Sequence, residues 1–150
     1  MDILGQIEVS KDDAAAIARG LFALARVDGH DEREGILIKS LWMDAVGYEG
    51  EIDLQTIEKL SDITPKELAA ALRSIELKRV FLKTALLLAW ADGDVSTKEK
   101  AWIAEAAGAF GISDKDLARE DELVRTFLLS QLSHLQNVDA AKEVAKKLGF

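Results

Sequence analysis

The hydrophobic residues of this chain recur with the period of α-helices. Segment 78–91 is apolar nearly all round, which predicts a helix at the centre of a bundle. The chain has one proline, no Asn-Gly hairpin turn and no strictly alternating run, so little of it favours strands. Two sets of apolar residues share the i, i+4, i+7 spacing of one helix face: Ile17, Leu21 and Leu24, and Leu68, Leu72 and Ile75.

Helix starts are indicated by oxygen-bearing side chains with a carboxylate three residues later. Such a pair satisfies exposed N–H groups of the first turn. Pro65 strengthens the signal at Thr64, because proline at the first helical position loses no hydrogen bond. The candidates are Ser10–Asp13, Asp31–Glu34, Thr64–Glu67, Ser96–Glu99, Ser113–Asp116 and, without a carboxylate, Asn137.

These patterns together predict an all-α fold. We expect a single domain over residues 1–150, a compact bundle of about seven helices with a short one near 54–60. Val144, Ala145 and Leu148 indicate the last helix.

The bundle is also expected to contain an internal duplication. In each of two units an apolar helix ends in Asp-Gly, and a short loop leads to an acidic helix start. Asp28 and Asp92 lie 64 positions apart, whereas the caps Asp31 and Ser96 lie 65 apart, so the first loop is one residue shorter. The half-repeats span about 12–47 and 78–112.

The repeated Asp-Gly has two interpretations. Glycine commonly ends a helix, and the following carboxylate completes a cap, so both loops could be ordinary turns. However, Asp28 and Asp92 would stand at helix C-termini, where the helix dipole disfavours a carboxylate by roughly 0.3–1 kcal/mol. A nearby positive charge would offset this cost.

A divalent cation is the positive charge that best suits these loops. Asp92 to Glu99 fits the second half of a calcium loop, but Leu88 and Trp90 occupy the first two ligand positions, which excludes a complete EF-hand. Two half-sites could instead pool their ligands. Calcium or magnesium suits such oxygen ligands, and His30 leaves zinc or manganese open. The predicted metal ligands are Asp28, Asp31, Glu34, Asp92, Asp94 and Glu99.

Charge and composition narrow the class of protein. The net charge of −8 disfavours nucleic acid and direct membrane-surface binding, and the longest apolar run, 85–91, is too short for a membrane span. The lack of cysteine and of a secretory signal in residues 1–10 suits the cytoplasm. No catalytic motif is present, so we expect no enzyme.

Several further residues are interpreted as structural. We interpret the three tryptophans as packing residues, His134 as an ordinary helix residue and segment 114–122 as a solvated helix face.

The two Asp-Gly units carry a family resemblance. The pattern of an apolar helix followed by Ala-Asp-Gly-x-Val-x-x-x-Glu, repeated about 65 residues apart in an acidic chain, resembles the TerB-like family of tellurite-resistance proteins. The resemblance extends from about residue 12 to residue 150. The second unit matches the pattern, whereas in the first Val27 replaces the small residue and Glu34 stands six rather than seven positions after Asp28.

The resemblance implies a duplicated helical fold with acidic, metal-binding loops. It further implies a role in tellurite or general chemical stress, with protein partners in a membrane-linked complex. The residues leave a second interpretation open, in which the chain is a metal-independent interaction module and its acidic loops are only turns. They do not indicate the oligomeric state.

Overall fold

The protein is helical wherever its structure is described. A computed structural model describes residues 10–27, 38–43, 57, 59, 62–91, 95–132 and 146. Within these ranges there is no strand, and residues 38–43 are helical. The principal elements are α1 (Lys11–Arg26), α2 (Pro65–Ala71), α3 (Ile75–Trp90), α4 (Thr97–Ala109) and α5 (Asp114–Leu132).

The all-α prediction is therefore confirmed. The count of about seven helices is slightly off: the described ranges hold six helical segments, and the isolated described residues 57 and 146 are also helical. The short helix expected near 54–60 and the last helix lie almost entirely outside those ranges, as does the first Asp-Gly loop. The single domain over 1–150 and the half-repeats 12–47 and 78–112 stay predictions. No helix in the described ranges is long and apolar enough to cross a membrane.

Four of the predicted helix caps are confirmed. In each, the side-chain oxygen of the first residue accepts a hydrogen bond from the backbone N–H of the third helical residue, which satisfies a donor without a partner inside the helix. The Thr64 and Ser96 pairs are full capping boxes, because each glutamate also accepts from the backbone N–H of its cap. Asp31 and Asn137 lie outside the described residues. The distances are 3.1 or 3.2 Å for Ser10–Asp13, Thr64–Glu67, Ser96–Glu99 and Ser113–Asp116.

The boundary between α2 and α3 differs from the sequence prediction. Ile75 was placed on one helix face with Leu68 and Leu72, but α2 ends at Ala71 and Ile75 begins α3. Ser74 caps α3 by accepting a hydrogen bond from the N–H of Leu77 at 3.1 Å. Ile75 is consequently one of the exposed large hydrophobic residues, whereas Leu68 and Leu72 are fully buried.

Helix α3 is the centre of the described bundle, as its apolar composition predicts. It packs against α1, α4 and α5. Phe81 is fully buried and contacts Trp102 of α4 and Phe110, the C-cap of α4, with ring centroids 6.0 and 5.9 Å apart. Thr84, a buried polar residue of α3, donates its hydroxyl to the carbonyl of Val80 at 2.7 Å, so its polar group is satisfied.

The tryptophans are packing residues, as expected. Trp42 is buried and ties the helical residues 38–43 to α1, because its indole N–H donates to the carbonyl of Ala14 at 2.8 Å. Trp90 and Trp102 are half-buried against the core.

Gly108, in the last turn of α4, and Gly111, just beyond it, form the end of this helix. The N–H of Gly111 bonds the carbonyl of Gly108 at 3.1 Å, and the N–H of Ile112 bonds that of Ala107 at 2.9 Å. This is a Schellman motif, in which the residue after the cap adopts a positive φ. Gly111 has φ 75°. The turn directs the chain from α4 into α5.

Candidate functional site

The second Asp-Gly loop joins the C-terminus of α3 to the N-terminus of α4. Helix α3 ends at Trp90, and the N–H of its C-cap, Ala91, bonds the carbonyl of Leu88 at 3.4 Å. Residues 92–94 lie outside the described ranges, and the described chain resumes at Val95. Ser96 then caps α4. The loop is thus bounded by two well-defined helix ends.

Of the six predicted metal ligands, Glu99 alone lies within the described ranges. The positions of the other ligands, and the convergence of the two loops, stay predictions. Histidines 30 and 134 also lie outside the described ranges. Within those ranges, no group of three or more histidine, aspartate or glutamate side chains could hold a metal ion. The predicted ligands outside the described ranges are Asp28, Asp31, Glu34, Asp92 and Asp94.

Glu99 is fixed on the first turn of α4. Its Oε1 accepts a hydrogen bond from the N–H of Ser96 at 3.2 Å, and its own N–H donates to Ser96 Oγ at 3.1 Å. A carboxylate has two oxygens with about four lone-pair sites, so one cap bond is compatible with coordination of a cation by the same group. The arrangement therefore fits both the metal-ligand and the turn interpretation.

The capping box at Thr64 has the same geometry without an Asp-Gly loop before it. Glu67 accepts from the N–H of Thr64 at 3.1 Å and is exposed. Hydrogen bonds from the backbone N–H and then the hydroxyl of Thr64, with a smaller contribution from the charge of Arg19, hold the pKa of Glu67 below its ordinary value. Glu67 is therefore a matched comparison for Glu99.

A polar cluster holds the end of α3 against α5. The indole N–H of Trp90 donates to Asp121 Oδ1 at 2.7 Å. The other carboxylate oxygen, Oδ2, accepts from Nε of Arg125 at 3.0 Å. The guanidinium of Arg125 also lies 5.8 Å from the centroid of the Trp90 ring, in the range of a cation–π contact.

The same cluster forms one side of a cleft of about 370 Å³ between α3, α4 and α5. Its size falls within the range of small-ligand sites. Its apolar lining includes Leu86, Ile103 and Leu117, and Lys100 and Asp114 add opposite charges. Trp90 and Val95 also line it, so both described flanks of the second Asp-Gly loop border the cleft.

Sequence reasoning did not find this cluster. It assigned Asp121 to a solvated helix face and Trp90 to packing. Most of that stretch is exposed, but Asp121 is half-buried. The two residues lie 31 positions apart, and no local signal links an aspartate within a charged helix to a distant indole N–H.

A comparison with protein families supports the resemblance. Residues 55–122 match the family model of the tellurite resistance protein TerB. The matched segment includes the second Asp-Gly loop, Glu99 and Asp121, and ends before Arg125. Segment 55–122 is therefore similar to TerB, as the motif of the second Asp-Gly unit predicts. No curated protein and no solved structure matches the chain.

Proposed function

We propose that this protein is a TerB-like helical domain that binds a divalent cation and serves as a binding or scaffold protein in the response to tellurite or other chemical stress. The proposal is supported by the order of three acids in the sequence: Asp92 and Asp94 follow the end of α3, and Glu99 stands in the capped first turn of α4. The family match covers this whole loop.

The charge balance at the end of α3 supports a cation there. A helix C-terminus carries partial negative charge, which a lysine or arginine in the last turn commonly offsets. Helix α1 has Arg26 in its last turn, whereas the last turns of α3 and of the other three principal helices have no basic residue. Asp92 follows two positions after Trp90 and adds further negative charge. A bound cation would offset both the partial negative charge of the helix end and the charge of Asp92.

The ligand chemistry favours calcium or magnesium. Carboxylate oxygens are the ligands that these hard cations prefer. The first loop would supply Asp28, Asp31 and Glu34 to the same ion if the two loops meet. We place the protein in the cytoplasm without direct membrane insertion. Its expected partners are proteins of a membrane-linked complex rather than nucleic acid, whose phosphates a net charge of −8 repels.

Thermal unfolding with and without added ion tests the proposal. Millimolar calcium, magnesium or manganese should raise the melting temperature, because an ion at 100 times its Kd adds about 2.7 kcal/mol. At this chain length that corresponds to roughly 5–10 °C. The shift should be lost in Asp92→Asn and reduced in Glu99→Gln.

Glu67→Gln is the matched control for Glu99→Gln. Glutamine can replace glutamate in a capping box, so both variants keep the cap. Only Glu99→Gln alters the proposed ligand set, so Glu67→Gln should keep the full ion-dependent shift. No shift with any of the three ions in the wild-type protein would remove the metal from the function.

The alternative function is a metal-independent interaction module. The cleft beside Trp90 favours it, and so does the use of Glu99 in a helix cap, which needs no metal. Capture of a protein partner should then be equal with and without EDTA, and equal for Asp92→Asn. Loss of capture in EDTA would favour the cation-dependent function.

A further inference from the structure

The cleft between α3, α4 and α5 is elongated along α5. Five residues of α5 line it, spaced three or four apart on one helix face, from Asp114 to Arg125. Eleven residues of an α-helix rise about 16 Å, so the cleft extends about that far along α5. Its volume of about 370 Å³ and its mixed apolar and charged lining are typical of small-ligand sites. All of its lining residues lie within the described ranges.

The charged residues of the cleft are divided between its two ends. Asp114 begins α5 three residues after the turn at Gly111. Lys100 and Arg125 each lie more than ten residues from that turn along their helices, or at least about 15 Å. The ring of Trp90, with its centroid 5.8 Å from the Arg125 guanidinium, lies at this far end. The cleft therefore has a basic end beside Trp90 and an acidic end at the turn.

The basic end carries a net positive charge. Asp121 accepts hydrogen bonds from Trp90 at 2.7 Å and from Arg125 at 3.0 Å, so the charge of Arg125 offsets that of this carboxylate. Lys100 is exposed, and the described residues supply no ion-pair partner for it. A helical side chain leans toward the N-terminus of its helix, which directs Lys100 toward this end. Its ammonium group is therefore available to an anionic ligand.

Asp114 gives the other end of the cleft the opposite preference. It is exposed, and no ion pair to it occurs within the part of the chain that the structure describes. A second anionic group on a ligand would meet this carboxylate near the turn, and like charges repel. The cleft therefore distinguishes ligands with one acidic group from ligands with an acidic group at each end.

The lining between the charged ends is apolar. Leu86 of α3, Ile103 of α4 and Leu117 of α5 contribute to it from three helices, and Ala118 adds a small side chain. A hydrocarbon chain placed here would be removed from water on several sides, which is favourable in proportion to the apolar area buried.

We infer that the cleft binds a small amphipathic acid, with its single carboxylate beside Lys100 and its apolar chain along Leu86, Ile103 and Leu117. An extended backbone advances about 3.4 Å per three bonds, so a chain of about ten carbons spans roughly 10–12 Å and fits the length of the cleft. A medium-chain monocarboxylic acid has this chemistry. The site is separate from the proposed cation site and does not require a metal.

Titration of the full chain with decanoate, below the concentration at which it forms micelles and with EDTA present, tests the inference. The indole N–H resonance of Trp90 in ¹⁵N-labelled protein, assigned with Trp90→Phe, should shift saturably because Trp90 lines the cleft. We expect a Kd of about 1 mM or lower, as the usual efficiency of small ligands implies. The Trp42 resonance should not shift, because its N–H bonds the carbonyl of Ala14 in the buried core.

Two exposed alanines provide matched variants for the apolar part of the site. Ala118→Phe places a ring in the cleft and should weaken decanoate binding about tenfold or more, because the acyl chain then loses much of its buried area. Ala104→Phe, at an exposed position of α4 outside the cleft lining, should bind as the wild type does. Since both positions are exposed, neither variant overpacks the core.

The charge preference is measured with Lys100→Glu and with the diacid decanedioate. Lys100→Glu should weaken decanoate binding about fivefold or more, because repulsion replaces an exposed ion pair. Decanedioate should bind to the wild type about fivefold more weakly than decanoate, and Asp114→Lys should remove this difference. Decanol keeps the chain without the charge, so its affinity should be the same for the wild type and Lys100→Glu.

Three results would overturn the inference. Failure of the wild type to bind decanoate would do so and would favour a helix of a partner protein as the occupant of the cleft. An unmoved Trp90 resonance, or equal binding by Ala118→Phe, would place the acid elsewhere on the protein. Equal binding of decanoate by Lys100→Glu and the wild type would contradict the assigned orientation, and this variant decides if Ala118→Phe does not fold. Because EDTA removes divalent ions, these results are independent of the proposed cation site.

Discussion

Gly20 of α1 lies directly against the ring of Phe81 in α3. A Cβ atom on Gly20 would stand 2.5 Å from Cε2 of Phe81 and 2.9 Å from Cδ2 of Leu68. Both neighbours are fully buried, and the close packing of a protein core opposes their displacement. The absence of a side chain at this position therefore sets how closely α1 approaches α2 and α3.

Gly20→Ala should accordingly destabilise the protein by about 1–3 kcal/mol, the usual cost of overpacking a core. The loss should occur although alanine favours helices over glycine. Gly108→Ala is the matched control, because a Cβ there meets nothing within 4 Å. It should be neutral or stabilise by up to about 1 kcal/mol. Urea unfolding measures both changes, and equal stabilities of the two variants would contradict the close approach.

Gly111→Ala separates backbone strain from crowding. Its Cβ would also meet nothing within 4 Å, but Gly111 has φ 75°. An L-residue in this region costs about 1–2 kcal/mol. The unfolding free energy should therefore fall by that amount in Gly111→Ala and not in Gly108→Ala. A loss in both variants would indicate that Gly108 is also constrained.

The capping box at Thr64 should make stability depend on acid pH. The pKa of Glu67 is lowered in the folded protein, so its contribution is present above its unfolded pKa, near 4.5, and is lost as the pH falls through the folded pKa. Between pH 7 and pH 3 the wild-type unfolding free energy should fall further than that of Glu67→Gln, whose amide does not titrate. An equal fall in both proteins would show that the charge of Glu67 does not contribute to the unfolding free energy.

Local signals allowed much of this fold to be predicted from the sequence. The caps at Thr64 and Ser96 need only a hydroxyl and a glutamate three residues apart, and both formed. The cap at Ser74 was missed because Leu77, rather than a carboxylate, stands three residues later. Ile75 was misassigned for a related reason, since its spacing from Leu72 fits one helix face although a helix end separates them.

Long-range contacts could not be predicted in this way. The hydrogen bond from Trp90 to Asp121 depends on how α3 and α5 pack against each other. The sequence of neither helix, taken by itself, indicates this pairing. The candidate metal site could likewise be predicted from the sequence only in part. The position of Glu99 on a capped first turn follows from its neighbours, whereas a meeting of the two Asp-Gly loops would depend on the tertiary packing of both halves.

Cation binding at the second Asp-Gly loop is tested most directly by calorimetric titration of calcium, and in parallel magnesium, into the wild-type protein, Asp92→Asn and Glu67→Gln. We expect saturable binding to the wild type and to Glu67→Gln, and at least tenfold weaker binding to Asp92→Asn. The absence of binding to the wild type, or equal affinity in Asp92→Asn, would contradict a site built on this loop.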